Sequence, residues 1–312
     1  MDDDRGAILL LVLLILAFLS LLILSWAREW RTELTLAENF REARQCRRLA
    51  EAGVYYALGK LVIAKSQERS AFTGGVASQS PPSDVWWGDQ RPRLVEMPGG
   101  WAEVRVADEA GKINLNSANE QTLLSLFAVL GFSGTRLRTM VDSLLDWRSQ
   151  EMQARPLGAK NDYYLRLNPP YVAKNGRFDV VEELAWVRGF EGLALLPRLC
   201  DWLTPVVGGG AVNLNTAPLE VLLALGFPPD LAQGVILKRQ GAPFRSLQDV
   251  PRFSQAQLRQ PLGFQSSGFF TIKSTGMINK GGGRHTIKVV AQINLGAKNL
   301  WDIVSWTDDF PG

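Results

Sequence analysis

Between Gly6 and Ala27 the chain sets down twenty-two residues without a charge, and Ser20 and Ser25 are the only hydroxyls among them. At about 1.5 Å of rise per residue, such a run reaches roughly 30 Å as a helix, the thickness of a bilayer's hydrocarbon core. A secretory signal peptide would have a shorter apolar core with a small-residue cleavage site behind it. Here Trp26 and Trp30 follow instead, beside Arg28 and Arg31, where an interfacial belt would sit. The simplest reading is a plain membrane anchor. Charge counting by itself points the bulk of the chain at the cytoplasm, because Arg5 alone precedes the span while Arg28 and Arg31 follow it.

The span does not run into a loop. Proline is absent until Pro81 and glycine is absent from Ala7 to Ala52, so nothing breaks a helix there. Leu36, Phe40, Ala43, Ala50, Val54, Ala57 and Leu61 recur at helical spacing and predict one apolar stripe. Arg47 and Glu51 pair at i,i+4, so the basic cluster Arg41, Arg44, Arg47 and Arg48 reads as a solvated face. The prediction is one helix of about 60 residues whose last third packs on something.

Residues 66–100, rich in Ser, Gly and Pro, predict a long exposed loop. "GWAEVRVADEAGKINL" alternates like a strand through Trp101, Val104 and Val106, and turns near Gly111. "GFFTIKSTGMI" and "RHTIKVVAQIN" flank "NKGGG", a hairpin signal. Strands thus bracket a leucine-periodic middle, which predicts an α+β fold with a helical insertion in a small antiparallel sheet.

That middle repeats itself. "KINLNSA" at 112–118 returns as "AVNLNTA" at 211–217, each ahead of a leucine run. Ser117 and Thr216 are the expected N-caps, with Pro218 in a first turn. "DVVEELAWVRGFEGLALLPRLCDWL" lies between the copies, so three leucine-rich helical hairpins are expected in succession. Helix-hairpin-helix DNA-binding modules share this vocabulary and hold phosphate on the N–H groups of a Gly-apolar-Gly turn. The turns here are Gly131-Phe132-Ser133-Gly134, Gly189-Phe190-Glu191-Gly192 and Gly226-Phe227-Pro228-Pro229. None has the second glycine two places on, and proline has no N–H to offer. A net charge of +3, from 34 basic and 31 acidic residues, also lacks the footprint of a nucleic-acid binder. The rival reading is a membrane-anchored DNA-uptake protein.

Two resemblances bear on this choice. Arg5 to Leu11, "RGAILLL", resembles the start of type IV pilin-like proteins. That implies a prepilin peptidase cut between Gly6 and Ala7, methylation of the new N-terminus, and a leader (here the acidic Asp2 to Asp4 with Arg5) of residues 1–6. Most pilins carry glutamate at the fifth mature position. Leu11 stands there instead, which implies a subunit with no neighbour ahead of it, because a carboxylate in lipid needs a partner. The body resembles the minor pseudopilin K family of type II secretion systems. The resemblance is carried by "KINLNSA", "LLDW" (144–147), "GAKNDYY" (158–164), "PPYVAKNGRFDVVEELAWVRGF" (169–190), "AVNLNTAPLEVLLAL" and "FRSLQDV" (244–250), in that order.

The family resemblance implies a pilin-type sheet interrupted by SAM-like, helix-hairpin-helix-related domains. The expected boundaries are 7–27 in the membrane; 28–116 for the periplasmic helix, loop and first strands; 117–205 and 206–263 for two helical domains; and 264–312 for the last strands. It implies a single-pass inner-membrane protein with its globular part in the periplasm, acting at the tip of the secretion pseudopilus. A tip pilin of a type IV pilus is the nearer alternative. Expected partners are I-, J- and H-type minor pseudopilins, the major pseudopilin, the prepilin peptidase and the inner-membrane assembly platform. Phe40, Ala43, Ala50, Val54 and Leu61 are the expected packing residues for partner helices. The family's run of carboxylates after Asp-Trp implies calcium, which takes six to eight oxygens. Here Arg148 to Gln150 interrupt that run, leaving Asp146, Asn161 and Asp162 as a weakened set with Lys160 among them.

Catalysis finds no constellation. His285 is the one histidine and neighbours Arg284; no serine or cysteine has a base beside it. Cys46 and Cys200 lack metal-site spacing; inert thiols and a disulfide both remain open. Asp142 and Asp146 share a helix face and read as solvated surface.

Overall fold

The computed structural model describes residues 3–72, 86–206, 210–250, 258–279 and 282–308. Helix α1 (Asp3–Phe72) is 70 residues long and unbroken, as the absence of proline before Pro81 allows. From Leu9 to Arg41 every residue is exposed. From Cys46 to Ala64 the helix buries one face.

Strands β1 (Arg93–Met97) and β2 (Gly100–Asp108) form an antiparallel hairpin. The chain then leaves the sheet through the insert: β3 (Ile113–Asn114), α2 (Glu120–Val129), α3 (Gly134–Arg148), the single turn α4 (Asn161–Tyr164), β4 (Leu203–Thr204), β5 (Val212–Asn213), α5 (Leu219–Leu225), α6 (Pro229–Gly241) and β6 (Leu262–Gly263). It returns as β7 (Phe269–Ile278), β8 (Arg284–Ile293) and β9 (Trp301–Thr307). The sheet order is β1-β2-β7-β8-β9, so the insert splits two adjacent central strands. The expected hairpin around "NKGGG" is β7–β8, antiparallel with Phe270 opposite Ala291.

One face of this sheet lies under α1. Register pairs Val104 with Ser274 and Val106 with Ile272, and Val104, Val106 and Ile272 join Val54, Leu58, Leu61 and Val289 in a single core. Each fully buried aliphatic there contributes about 1.5–3 kcal/mol. Helix and sheet approach closely because glycines meet: a Cβ on Gly276 would lie 2.0 Å from the Cys46 carbonyl oxygen, and one on Gly53 2.3 Å from Ser274 Oγ. A bulge between Val290 and Ala291 shifts the register of the edge strand β9.

Four local expectations are corrected. The segment read as a loop over 66–100 contains the end of α1, the buried Trp86 and strand β1; residues 73–85 lie outside the described ones. Trp101 points away from the face that Val104 and Val106 share, as the two-residue period of a strand demands. Asn119, not Ser117, caps α2, its side chain accepting from Thr122 N at 2.8 Å, and Pro218 precedes α5 with no side-chain cap. The third hairpin is two 3-10 turns, Val181–Trp186 and Leu196–Asp201. Between them Gly189 and Gly192 adopt left-handed φ, which ends helical continuation, and Pro197 opens the second turn.

Candidate functional site

Apolar surface that a helix keeps outside its own fold is open to a partner. Of the five residues expected to meet partner helices, Phe40 is 62% exposed and Ala43 is exposed, whereas Ala50, Val54 and Leu61 are buried against the chain's own sheet. This corrects the expectation for those three. Helical spacing marks a shared face without saying what covers it, and α1 turns the lower part of that face inward. Leu34, Leu36 and Phe40 remain outward beyond the sheet, as do Tyr55 and Ile63 on its flank. Gly6 and Ala7 lie in the helical backbone of α1.

The repeated Asn-Leu-Asn phrase proves to be a double clasp. In the first copy, Asn114 Oδ1 accepts from Asn116 N, and β3 pairs in parallel with β4. Asn116 then donates from Nδ2 to Phe178 O and Pro205 O, both at 3.0 Å, and accepts from Phe178 N at 2.8 Å. In the second copy Asn213, Asn215, Phe244 and Phe264 repeat the arrangement at 2.7–3.0 Å, and β5 pairs with β6. Arg148 donates to the carbonyls of Leu115 and Ala118, and Arg239 to those of Leu214 and Ala217. Burial lowers both guanidinium pKa values, Arg239 to about 10. Glu183 and Asp249 each follow their phenylalanine by five positions and cap a 3-10 turn from the same place. Each module is therefore shut by its second asparagine, and α2 packs on α5 to give both modules one core. The arginine and phenylalanine partners lay too far along the chain for the repeat to reveal them.

The glycines that end α2 and α5 spend their N–H groups on these helices. Gly131 N and Phe132 N reach Ala128 O and Phe127 O, and Gly226 N and Phe227 N reach Leu223 O and Leu222 O, all at 3.0–3.1 Å. Such groups face back into the helix and not toward a phosphate.

The insert meets the sheet face opposite α1 through charge. Lys288 reaches Glu182 at 2.7 Å, Lys273 reaches Asp201 at 2.7 Å, and Glu109 binds Thr271 and the buried Lys112. Burial opposes charge on Glu182, but the hydrogen bond and charge of Lys288 outweigh it and hold the carboxyl below its usual range. Burial likewise opposes the Lys288 charge, while Cys200, Glu182 and Glu109 prevail and raise it. At the seam Asp108, 1% exposed, accepts from Ala110 N, Asn213 Nδ2, Thr216 Oγ1, Ser267 N and Ser267 Oγ at 2.8–3.3 Å. Burial pushes its carboxyl above the usual range, against those bonds. Thr216, an expected cap, is instead one of its donors.

Two of the three residues expected to hold calcium already spend an oxygen on a backbone N–H group. Asp146 is buried, not surface, and its Oδ2 accepts from Arg155 N at 3.0 Å; Asp142 Oδ2 accepts from Leu157 N at 3.2 Å. Asn161 Oδ1 is taken by Ala173 N at 2.9 Å, and Asp162 is exposed. Lys160 Nζ sits within this loop system, on Asp146 O, Ser149 O and Asn175 Oδ1. Among the described residues no cluster of three or more His, Cys, Asp or Glu could hold a metal. His285 is partly buried beside Asp308, which also binds Arg47. Cys46 and Cys200 are free, buried thiols.

Comparison with known proteins places this architecture. Two family profiles, each described as "Type II secretion system (T2SS), protein K", match residues 104–205 and 212–269. A type II secretion system protein K of Pseudomonas aeruginosa is 25% identical over 94% of this chain and 85% of its own length. Its counterpart in Klebsiella pneumoniae is 26% identical over 73% of this chain and 72% of its own. Among solved structures, the GspK-GspI-GspJ complex of the enterotoxigenic Escherichia coli type 2 secretion system matches with a TM-score of 0.61. That match covers 87% of this chain and 98% of the other, at 19% identity, a likeness of fold. The fold is the α+β fold of a pilin-like subunit, with one N-terminal helix long and apolar enough to cross a membrane. The chain belongs to the type II secretion system protein K family, the minor pseudopilins that carry K. This is a structural family of the secretion apparatus and not a family of enzymes.

Proposed function

We propose that this chain is the tip subunit of the secretion pseudopilus and nucleates its assembly for export of folded proteins. One observation carries the reading: residues 109–268, about half of the chain, separate the neighbouring strands β2 and β7, and the described part of that insert docks on the sheet face opposite α1 through Glu182 and Asp201. Stacked subunits must present a compact cross-section, and an insert the size of a small domain leaves no room for a copy above it. Leu11 supports the same place from the membrane end, where a carboxylate would await the amine of a subunit ahead. The E. coli relative is seen in a complex with GspI and GspJ. Equivalent I- and J-type partners would meet this chain along the outward surface at Leu36, Phe40 and Ala43. An H-type subunit, the major pseudopilin and the assembly platform would follow below. The globular part would stand in the periplasm, with Ala7 to Leu24 in the inner membrane after prepilin peptidase cuts behind Gly6.

Gold-labelled protein in assembled fibres tests this directly: one label at one end is expected. Labels at regular intervals along the fibre would refute tip placement. Mass spectrometry of the mature protein should give an N-terminus at Ala7, methylated; a mature chain that keeps Met1 would refute processing.

A further inference from the structure

Lys160 is buried, yet none of its hydrogen-bond acceptors is charged. Its Nζ donates to the main-chain oxygens of Asp146 and Ser149, both at 2.6 Å, and to Asn175 Oδ1 at 3.0 Å. An ammonium has three donors, so three acceptors complete it. The acceptors come from three places. Asp146 is in the last turn of α3, Ser149 begins the loop that follows, and Asn175 belongs to the turn ahead of Phe178. That turn is itself held in shape: Asn175 has a left-handed φ of 48°, and Gly176 N donates to Trp147 O at 3.2 Å. Neutral carbonyl oxygens gathered from separate loops are the ligands a hard cation takes. Two of them, the main-chain oxygens of Asp146 and Ser149, also lie at the C-terminus of α3, where a positive charge is favoured.

We propose that the Lys160 ammonium is a resident cation: it fills, from within the chain, the place of a divalent ion between these loops. The first module then locks without metal. While the ammonium is there, an ion finds no free ligands. Calcium needs six to eight oxygens; the three gathered here are engaged by the ammonium, and Lys160→Asp would release them and add two carboxylate oxygens, with water to complete the set. The Asp146 carboxylate is turned away to Arg155 N, and a Cβ on Gly158 would fall 1.9 Å from its Oδ2. Nothing in this depends on where the subunit stands in a fibre.

The test uses the full chain in detergent micelles, with thermal unfolding and amide hydrogen exchange in EDTA and in calcium chloride. The wild-type midpoint should agree in the two media to within about 1 °C, since no ion binds to the native state. In Lys160→Met, protection at Arg155, Leu157 and Gly176 should fall by about tenfold or more in both media. In Lys160→Asp, protection should fall in EDTA and return with calcium. A wild-type midpoint raised several degrees by calcium would overturn the proposal, as would full protection in Lys160→Met. Failure of calcium to restore Lys160→Asp would reduce the ammonium to a helix cap and overturn the cation substitution. The wild-type comparison needs no variant, so it decides even if Lys160→Met does not fold.

Discussion

Asp108 accepts a hydrogen bond from Ser267 Oγ at 2.9 Å, across 159 positions of chain. One residue ends β2 and the other lies two before β7, so the bond ties the exit of the insert to its return. Asp108→Ala would leave Asn213, Thr216 and Ser267 facing an absent acceptor in a buried seam. A loss of about 3 kcal/mol or more is expected by urea unfolding, with faster amide exchange at Ser267.

The double clasp makes a paired prediction. Asn116→Ala and Asn215→Ala each remove three hydrogen bonds to the backbone, and each should cost about 2–3 kcal/mol. Asn116→Asp should cost more than Asn116→Ala, because it turns a carboxylate toward the Phe178 and Pro205 carbonyls. Equal losses for Asp and Ala would show that shape and not donor placement holds the module shut.

Substitutions at the two ends of the α1 stripe test folding and assembly separately. Val54→Asp places an unpaired carboxylate in the core and should cost about 3–5 kcal/mol. Phe40→Asp should change unfolding by no more than about 0.5 kcal/mol and still weaken co-purification with I- and J-type pseudopilins. Normal co-purification of Phe40→Asp would move the partner surface elsewhere on the helix.

Acid should loosen the insert from the sheet. Glu182 lies below its ordinary 4.5 in the folded chain, so its contribution is present above that pH and is lost as pH falls through the folded value. Lys288 lies above its ordinary 10.5, so its contribution is present below that pH and is lost as pH rises through the folded value. Between them stability from the pair is level. Glu182 is 55% exposed, so solvent screening holds the effect to about 0.5–1 kcal/mol. Glu182→Gln should remove that part of the acid slope in unfolding measured below pH 4.5.

The long helix, the β7–β8 hairpin and the interrupted sheet were legible because each rests on local pattern. An uncharged run, a glycine-rich turn between alternating segments and a gap in the strands need no knowledge of distant contacts. The clasp was half legible: the phrase repeats, but its partners are the carbonyls of Phe178, Pro205, Phe244 and Phe264. Ser117 failed as a cap because the Asn114 carbonyl already takes the N–H groups of Ser117 and Ala118, which delays the helix to Glu120. The leucines of 193–199 suggested a helix, but nothing local shows that glycines on either side of Phe190 and Glu191 must turn left-handed. Ala50, Val54 and Leu61 carried the right period and the wrong neighbour. Period tells which residues are covered, and only topology tells by what.

The parallel pairs β3–β4 and β5–β6 bear on the order in which the chain comes together. Joining β2 to β7 through an unfolded insert would enclose roughly 160 residues, at an entropic cost of about 4–5 kcal/mol. If each module shuts first on its own strand pair, that span shrinks to the few residues between Asp108, the two clasps and Ser267. In chain order α1 and the β1–β2 hairpin come before the insert and β7 to β9 after it, so the first part made is an unfinished half. Until the modules shut, joining β2 to β7 carries that closure cost in full. Closing the insert first lowers it, which favours an order in which the part that distinguishes this subunit forms before the sheet around it is finished.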